Sequence, residues 1–169
     1  MIDTVRKMMK RLSRYTYGLY INGSGIISDS SRFHEFDPEL LMIQTPEEFE
    51  KNKSGMYHDA TVYIHKKLSD IGIYHLCIYL ESSKKPYLST HSFVVAKLTE
   101  EGFFVLDAFT VENGIYPNIF PTVLQAVSFR KRRWLIDEKF SSHSLYLRVL
   151  KNMPSGINII DFMSLMREE

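Results

Sequence analysis

Ser54-Gly55-Met56-Tyr57-His58-Asp59-Ala60 opens the stretch that decides the fold. Behind it Ala60, Ile64 and Leu68 recur every four residues with Val62 beside them, a spacing that predicts one helical face from Met56 to about Asp70, stopped by Gly72. Three strand-like runs follow, over 73–80, 89–98 and 102–109. Alternation is weak in the first, but Phe93 with Val95 and Phe103 with Val105 each share a face in the other two. Lys84-Lys85-Pro86 and Thr99-Glu100-Glu101-Gly102 are short connections, so neighbouring strands should pair antiparallel. The expected class is α+β, with a helix packed on an antiparallel sheet.

Upstream, Thr45-Pro46-Glu47-Glu48 combines an N-cap, a proline at the first helical position and acids that favour the positive end of the helix dipole. A helix of about two turns should end before Asn52 to Gly55. Leu40-Leu41-Met42-Ile43 is a short apolar run, and Leu19-Tyr20-Ile21 a short strand. Asn22-Gly23-Ser24-Gly25 is turn chemistry without the Gly-Lys-Ser/Thr ending of a phosphate-binding loop. Val5, Met8, Met9 and Leu12 predict an amphipathic helix over 3–14, with Arg6, Lys7, Lys10, Arg11 and Arg14 on its other face. Downstream, a loop through Asn113-Gly114 and Pro117 leads to a helix from Pro121 to about Phe129. Arg130-Lys131-Arg132-Arg133-Trp134 is the local basic cluster, read as a solvated loop or as an anion-binding one that meets phosphates or acidic side chains. A strand over 145–150, a turn at Pro154-Ser155-Gly156 and a helix over 159–166 complete the chain. One domain is expected over 1–169, with its core over about 45–120 and the terminal helices 3–14 and 158–167 as additions.

Composition narrows the classes of function. With 44% hydrophobic and 13% aromatic residues the chain can bury a core without staples. Its 21 basic and 20 acidic residues nearly cancel, so a whole-protein field for nucleic acid is absent and a protein or peptide is the more natural partner. A lone cysteine, Cys77, excludes an internal disulfide and a Cys-rich zinc site, and is read as a small buried apolar residue. His58 and His65 stand seven apart with no third ligand at telling spacing, so neither a metal nor a cofactor is expected. No secretory leader or membrane span is legible, and the expected address is the cytoplasm, with no membrane partner.

Gly55-x-Tyr57-x-Asp59 at a helix start, then His91 within Thr90-His91-Ser92-Phe93, then Asp107 at the end of Phe103-Phe104-Val105-Leu106-Asp107, resembles the transglutaminase-like branch of the papain-like cysteine hydrolases. That resemblance covers about 60 residues. It implies a nucleophile at the helix N-terminus, a histidine base on one strand and an orienting aspartate on the next. A thiol at a helix end ionises readily, the imidazole moves its proton, and the carboxylate fixes the imidazole. Here Tyr57, His91 and Asp107 fall on those three positions, with His58, Asp59 and Thr90 flanking the cleft. Asp59 is also read as a first-turn acid.

Tyrosine in the seat of the sulfur changes the chemistry. A phenol of pKa about 10 is protonated at neutral pH, and its ring fills the space an acyl group needs. The expectation is therefore a catalytically silent, transglutaminase-like module that binds protein or peptide, of a kind resembling domains encoded by phages and mobile elements. The alternative is a hydrolase or transferase that uses Tyr57, its phenolate favoured by the helix end and His91. An α+β interaction domain of another type, with an accidental resemblance, is the third reading.

Overall fold

The computed structural model describes residues 2–22, 25–29, 35–84, 87–137 and 144–168. In chain order the elements are α1 (Ile2–Leu12), β1 (Thr16–Tyr17), β2 (Leu19–Ile21), β3 (Gly25–Ile27), β4 (Leu41–Ile43), α2 (Pro46–Asn52), β5 (Ser54–Gly55) and α3 (Tyr57–Asp70). They continue with β6 (His75–Lys84), β7 (Tyr87–Thr99), β8 (Gly102–Leu106), α4 (Val123–Asp137), β9 (Ser144–Leu150), β10 (Ile157–Asn158) and α5 (Ile159–Arg167). The class is α+β, and the central sheet has the order β8-β7-β6-β9, antiparallel throughout.

Period-two alternation divides that sheet into two apolar faces. Cys77, Tyr79, Val94, Ala96 and Leu106 pack under α3 with Ala60, Ile64 and Leu68. Ile78, Leu80, Phe93, Val95 and Val105 pack on the other side under Ala126, Val127 and Trp134 of α4. A sheet covered on both faces needs no polar side, which is why the run that became β6 shows little alternation. Each fully buried Val, Leu or Phe stabilises the fold by roughly 1.5–3 kcal/mol, so this double layer is the main apolar store.

Around it stands a smaller antiparallel sheet, β10-β4-β2-β3, and a parallel pair, β1 with β5. The pair sets Tyr17 opposite Gly55, immediately before α3 begins. Helix α2 carries the expected cap: the Thr45 hydroxyl accepts from the Glu48 N–H, and the Glu48 carboxylate accepts from the Thr45 N–H. Helix α1 buries Val5, Met9 and Leu12. At Gly114, with φ of 69°, a Cβ would stand 2.9 Å from the Met9 methyl, so glycine lets the 112–114 turn lie against α1.

Several boundaries differ from the sequence reading. β6 starts later and runs on to Lys84, β7 extends over Tyr87–Thr99 instead of 89–98, and β8 stops at Leu106, not 109. The turn residues 23–24 and 85–86 lie outside the described residues. The larger correction concerns 130–134: they are no solvated loop but the middle of α4, which runs on to Asp137. Ala126, Val127, Arg130 and Trp134 are its buried positions, and their helical spacing makes one face of which Arg130 is part.

Candidate functional site

Gly55 and Asp59 build the start of α3. The Asp59 carboxylate accepts from the backbone N–H of Met56 (2.6 Å) and of Gln44 (2.7 Å), closing the first turn and tying it to the segment before α2. A Cβ at Gly55 would lie 2.6 Å from that carboxylate, 2.8 Å from the Gln44 amide and 2.8 Å from the Phe49 ring, so only glycine fits. Burial pushes the Asp59 carboxyl up to about 6 against the pull of these backbone donors. Two of the motif residues thus have a structural purpose, and Asp59, expected to flank the cleft, is buried in the helix cap.

Tyr57 is the first residue of α3. Its ring centroid lies 4.3 Å from that of His91, edge to face, 5.1 Å from Tyr17 and 6.1 Å from Phe109. β8 ends opposite Val94, so among the described residues no strand covers that flank of β7 at His91, and Tyr57 and His91 meet there. The three positions singled out in the sequence are brought together on α3, β7 and the residue after β8.

His91 and Asp107 are 1% and 2% exposed. His91 Nε2 stands 2.7 Å from Asp107 Oδ2. The same oxygen accepts from Arg130 Nε at 2.6 Å, and Arg130 Nη2 lies 3.0 Å from His91 Nε2. A nitrogen that gives its proton to the carboxylate has no lone pair for the guanidinium. We assign the proton to the shorter, charge-assisted bond to Asp107, which makes the Arg130 approach a packed contact. Burial pushes the Asp107 carboxyl up, but His91 and then Arg130 outweigh it and hold the group below its ordinary range. His91 Nδ1 has no hydrogen-bond partner among the described residues. The ring stacks between Phe93 and Trp134, at 6.0 and 6.2 Å.

Arg130 departs from the sequence expectation of a solvated or anion-binding loop shared with Lys131, Arg132 and Arg133: it is 1% exposed and its guanidinium pairs with Asp107, with Asp137 3.9 Å away. Arg132 and Arg133 do lie on the exposed side of α4, with Lys131 half-buried. Arg133 rests over the Tyr116 and Phe129 rings at 6.0 and 5.9 Å.

His58 and Thr90 were also expected beside the cleft. They turn to the opposite face, because His58 is one helical step past Tyr57 and Thr90 and Ser92 alternate with His91. The Ser92 hydroxyl donates to Thr61 Oγ1 (3.0 Å), so it accepts from His58 Nδ1 (2.9 Å), and His58 Nε2 accepts from the Thr90 hydroxyl (3.0 Å). Burial, then the nearby His91, lower the His58 pKa to about 3, so the ring is neutral at physiological pH. Phe162 of α5 packs on it at 4.8 Å.

An open cleft of about 670 Å³ adjoins this arrangement, lined by Lys10 of α1, by Arg14, Tyr15 and Tyr17 just after it, and by the 108–113 segment including Phe109. Tyr17 and Phe109 line the cleft and both touch Tyr57. The thiol of Cys77 is buried on the α3 face, and burial pushes its pKa up to about 12, so it supplies no nucleophile. Among the described residues, no group of three or more His, Cys, Asp or Glu side chains converges as a metal site would, and no helix is long and apolar enough to cross a membrane. Comparison of the sequence with protein-family models and with curated proteins gives no match.

Proposed function

We propose that this chain is a transglutaminase-like domain in which Tyr57 holds the nucleophile seat, and that it binds a protein or peptide segment without turnover. The observation that carries the reading is the separation of the buried pair from the open cleft. His91 and Asp107 are sealed and committed to Arg130, whereas the accessible surface beyond Tyr17 and Phe109 offers aromatic rings and two cations against one acid, Glu112. Such a surface suits an extended segment carrying acidic and apolar side chains. A base that cannot reach a substrate, beside a phenol in place of a thiol, has no route to acyl transfer.

The test is selection from a displayed random-peptide library. Acidic, aromatic-rich sequences should be enriched on the wild type and lost on Tyr17→Ser and on Arg14→Glu. Equal enrichment on these variants overturns the cleft as the binding site. The close approach of Tyr57 to His91 favours one rival, phenolate chemistry at the helix end. That rival wins if the wild type turns over an acyl-amide reporter and Tyr57→Phe does not.

A further inference from the structure

The central sheet has two edges of different character. At the β8 edge the chain folds back: Phe103 and Phe120 exchange both backbone hydrogen bonds (2.8 and 2.9 Å), and Tyr116 N–H donates to Val105 O at 3.1 Å. Among the described residues, the backbone bonds of β9 go to β6 alone, over seven unbroken pairs from Ser83↔Ser144 to Cys77↔Leu150. The strand, Ser144-Leu145-Tyr146-Leu147-Arg148-Val149-Leu150, has none of the usual guards of an edge: no proline, no bulge, no lysine. Its one charge, Arg148, donates to the Leu165 carbonyl of α5. Tyr146 and Val149 are 37% and 48% exposed.

We propose that β9 pairs antiparallel with β9 of a second copy of this chain, about a two-fold axis at Leu147, joining two sheets into one. The occupant follows from the sequence of the strand, which matches itself in this register. Leu147 stands opposite its own copy, Leu145 opposite Val149, and Tyr146 opposite Arg148. Leu145 and Leu147 already pack on the α4-side core, so these pairs carry that apolar face across the axis. On the other face Tyr146 stands opposite Arg148, so no two like charges are paired. Moving the axis to Arg148 sets like charges against each other, and moving it to Tyr146 leaves Val149 and Leu150 unpaired. A shift of one residue sets the apolar face against the polar one. The near-zero net charge of +1 raises no barrier to the approach of two copies. This interface is independent of the cleft, and peptide binding there neither requires nor excludes it.

Sedimentation equilibrium of the full chain across the micromolar range should give a dimer. Val149→Lys, at an exposed position that leaves the core intact, should weaken it by about tenfold or more. Oxidation tests the register: Leu147→Cys should crosslink to itself, because directly opposed residues lie within disulfide reach. Tyr146→Cys mixed with Arg148→Cys should crosslink, and neither alone should. Buried Cys77 stays out of the reaction. A monomer at every concentration overturns the proposal. So does a dimer indifferent to Val149→Lys, or one in which the Tyr146→Cys and Arg148→Cys mixture stays unlinked while each variant folds by circular dichroism.

Discussion

Thr90, His91 and Ser92 are consecutive in β7, yet they serve two polar clusters on opposite faces of one sheet. On the α4 face His91 joins Asp107 and Arg130, a cluster held by charge. On the α3 face Thr90 and Ser92 join His58 and Thr61, a chain of neutral hydrogen bonds. Both are buried, and both contain a histidine. The difference lies in what burial does to each: ions out of water are stable only while each has its counter-ion, whereas hydroxyls and a neutral imidazole need only one partner apiece. Charge makes the first cluster strong and brittle, and neutrality makes the second cheaper to disturb but sensitive to protons.

The largest test of that contrast is Arg130→Met. It leaves the Asp107 carboxylate buried with His91 alone and should cost about 3–5 kcal/mol in denaturant unfolding. Arg130→Met with Asp107→Leu should cost less than the sum of the two single changes, since replacing both ions by apolar groups removes the unpaired charge. A cost below about 1 kcal/mol for the single change would show the cluster to be solvated and end the comparison.

Acid should separate the clusters next. The folded His58 pKa of about 3 lies below the ordinary 6.5, so as pH falls through 6.5 the unfolded chain takes up a proton that the folded one refuses. Stability should therefore drop on acidification, by about 1.5 kcal/mol between pH 6.5 and about pH 5, relative to His58→Gln. Asp59 acts in the opposite sense, its folded carboxyl binding protons first as pH falls through about 6, and it cancels in the comparison with the variant. Asp107 contributes nothing to this window. Its pKa is lowered on folding, so its stabilisation is complete above the unfolded carboxyl value and is lost only as pH falls through the lower, folded one. Equal pH slopes for wild type and His58→Gln would contradict a neutral, buried His58.

The smallest effect belongs to Thr61→Val. It keeps the shape but removes the acceptor of the Ser92 hydroxyl, so that the His58 hydrogen-bond chain must reverse or lose a bond, at a cost of about 1 kcal/mol by thermal unfolding. A cost as large as that of Arg130→Met would erase the distinction between the two faces.

Alternation along β7 is a period-two signal that sets Thr90 and Ser92 opposite His91, and it outweighs the motif-based expectation that Thr90 flanks the cleft. Arg130 also left a signal, since it follows Ala126 by four residues and precedes Trp134 by four. A guanidinium at an apolar position of a helix is a charge with a buried partner. Four basic residues in a row mask that signal, because as a run they read as a solvated surface beyond a helix ending at Phe129. Gly55 and Asp59 read as parts of a catalytic motif, but their close approach, visible only in three dimensions, gives them a capping purpose as well.

The sequence by itself determined the elements: the helix that starts near Met56, the antiparallel hairpins after it, the capped helix at Thr45 and the terminal helix over 159–166, because periodicity and capping act within a few residues. Only the tertiary structure decided which charges neutralise one another and which strands become neighbours. Asp107 finds Arg130 across 23 residues, and β9 joins β6 across more than 60, through packing that no local pattern encodes. Local rules fix where a side chain leaves the backbone, while its partner depends on the folding back of distant segments around a common core.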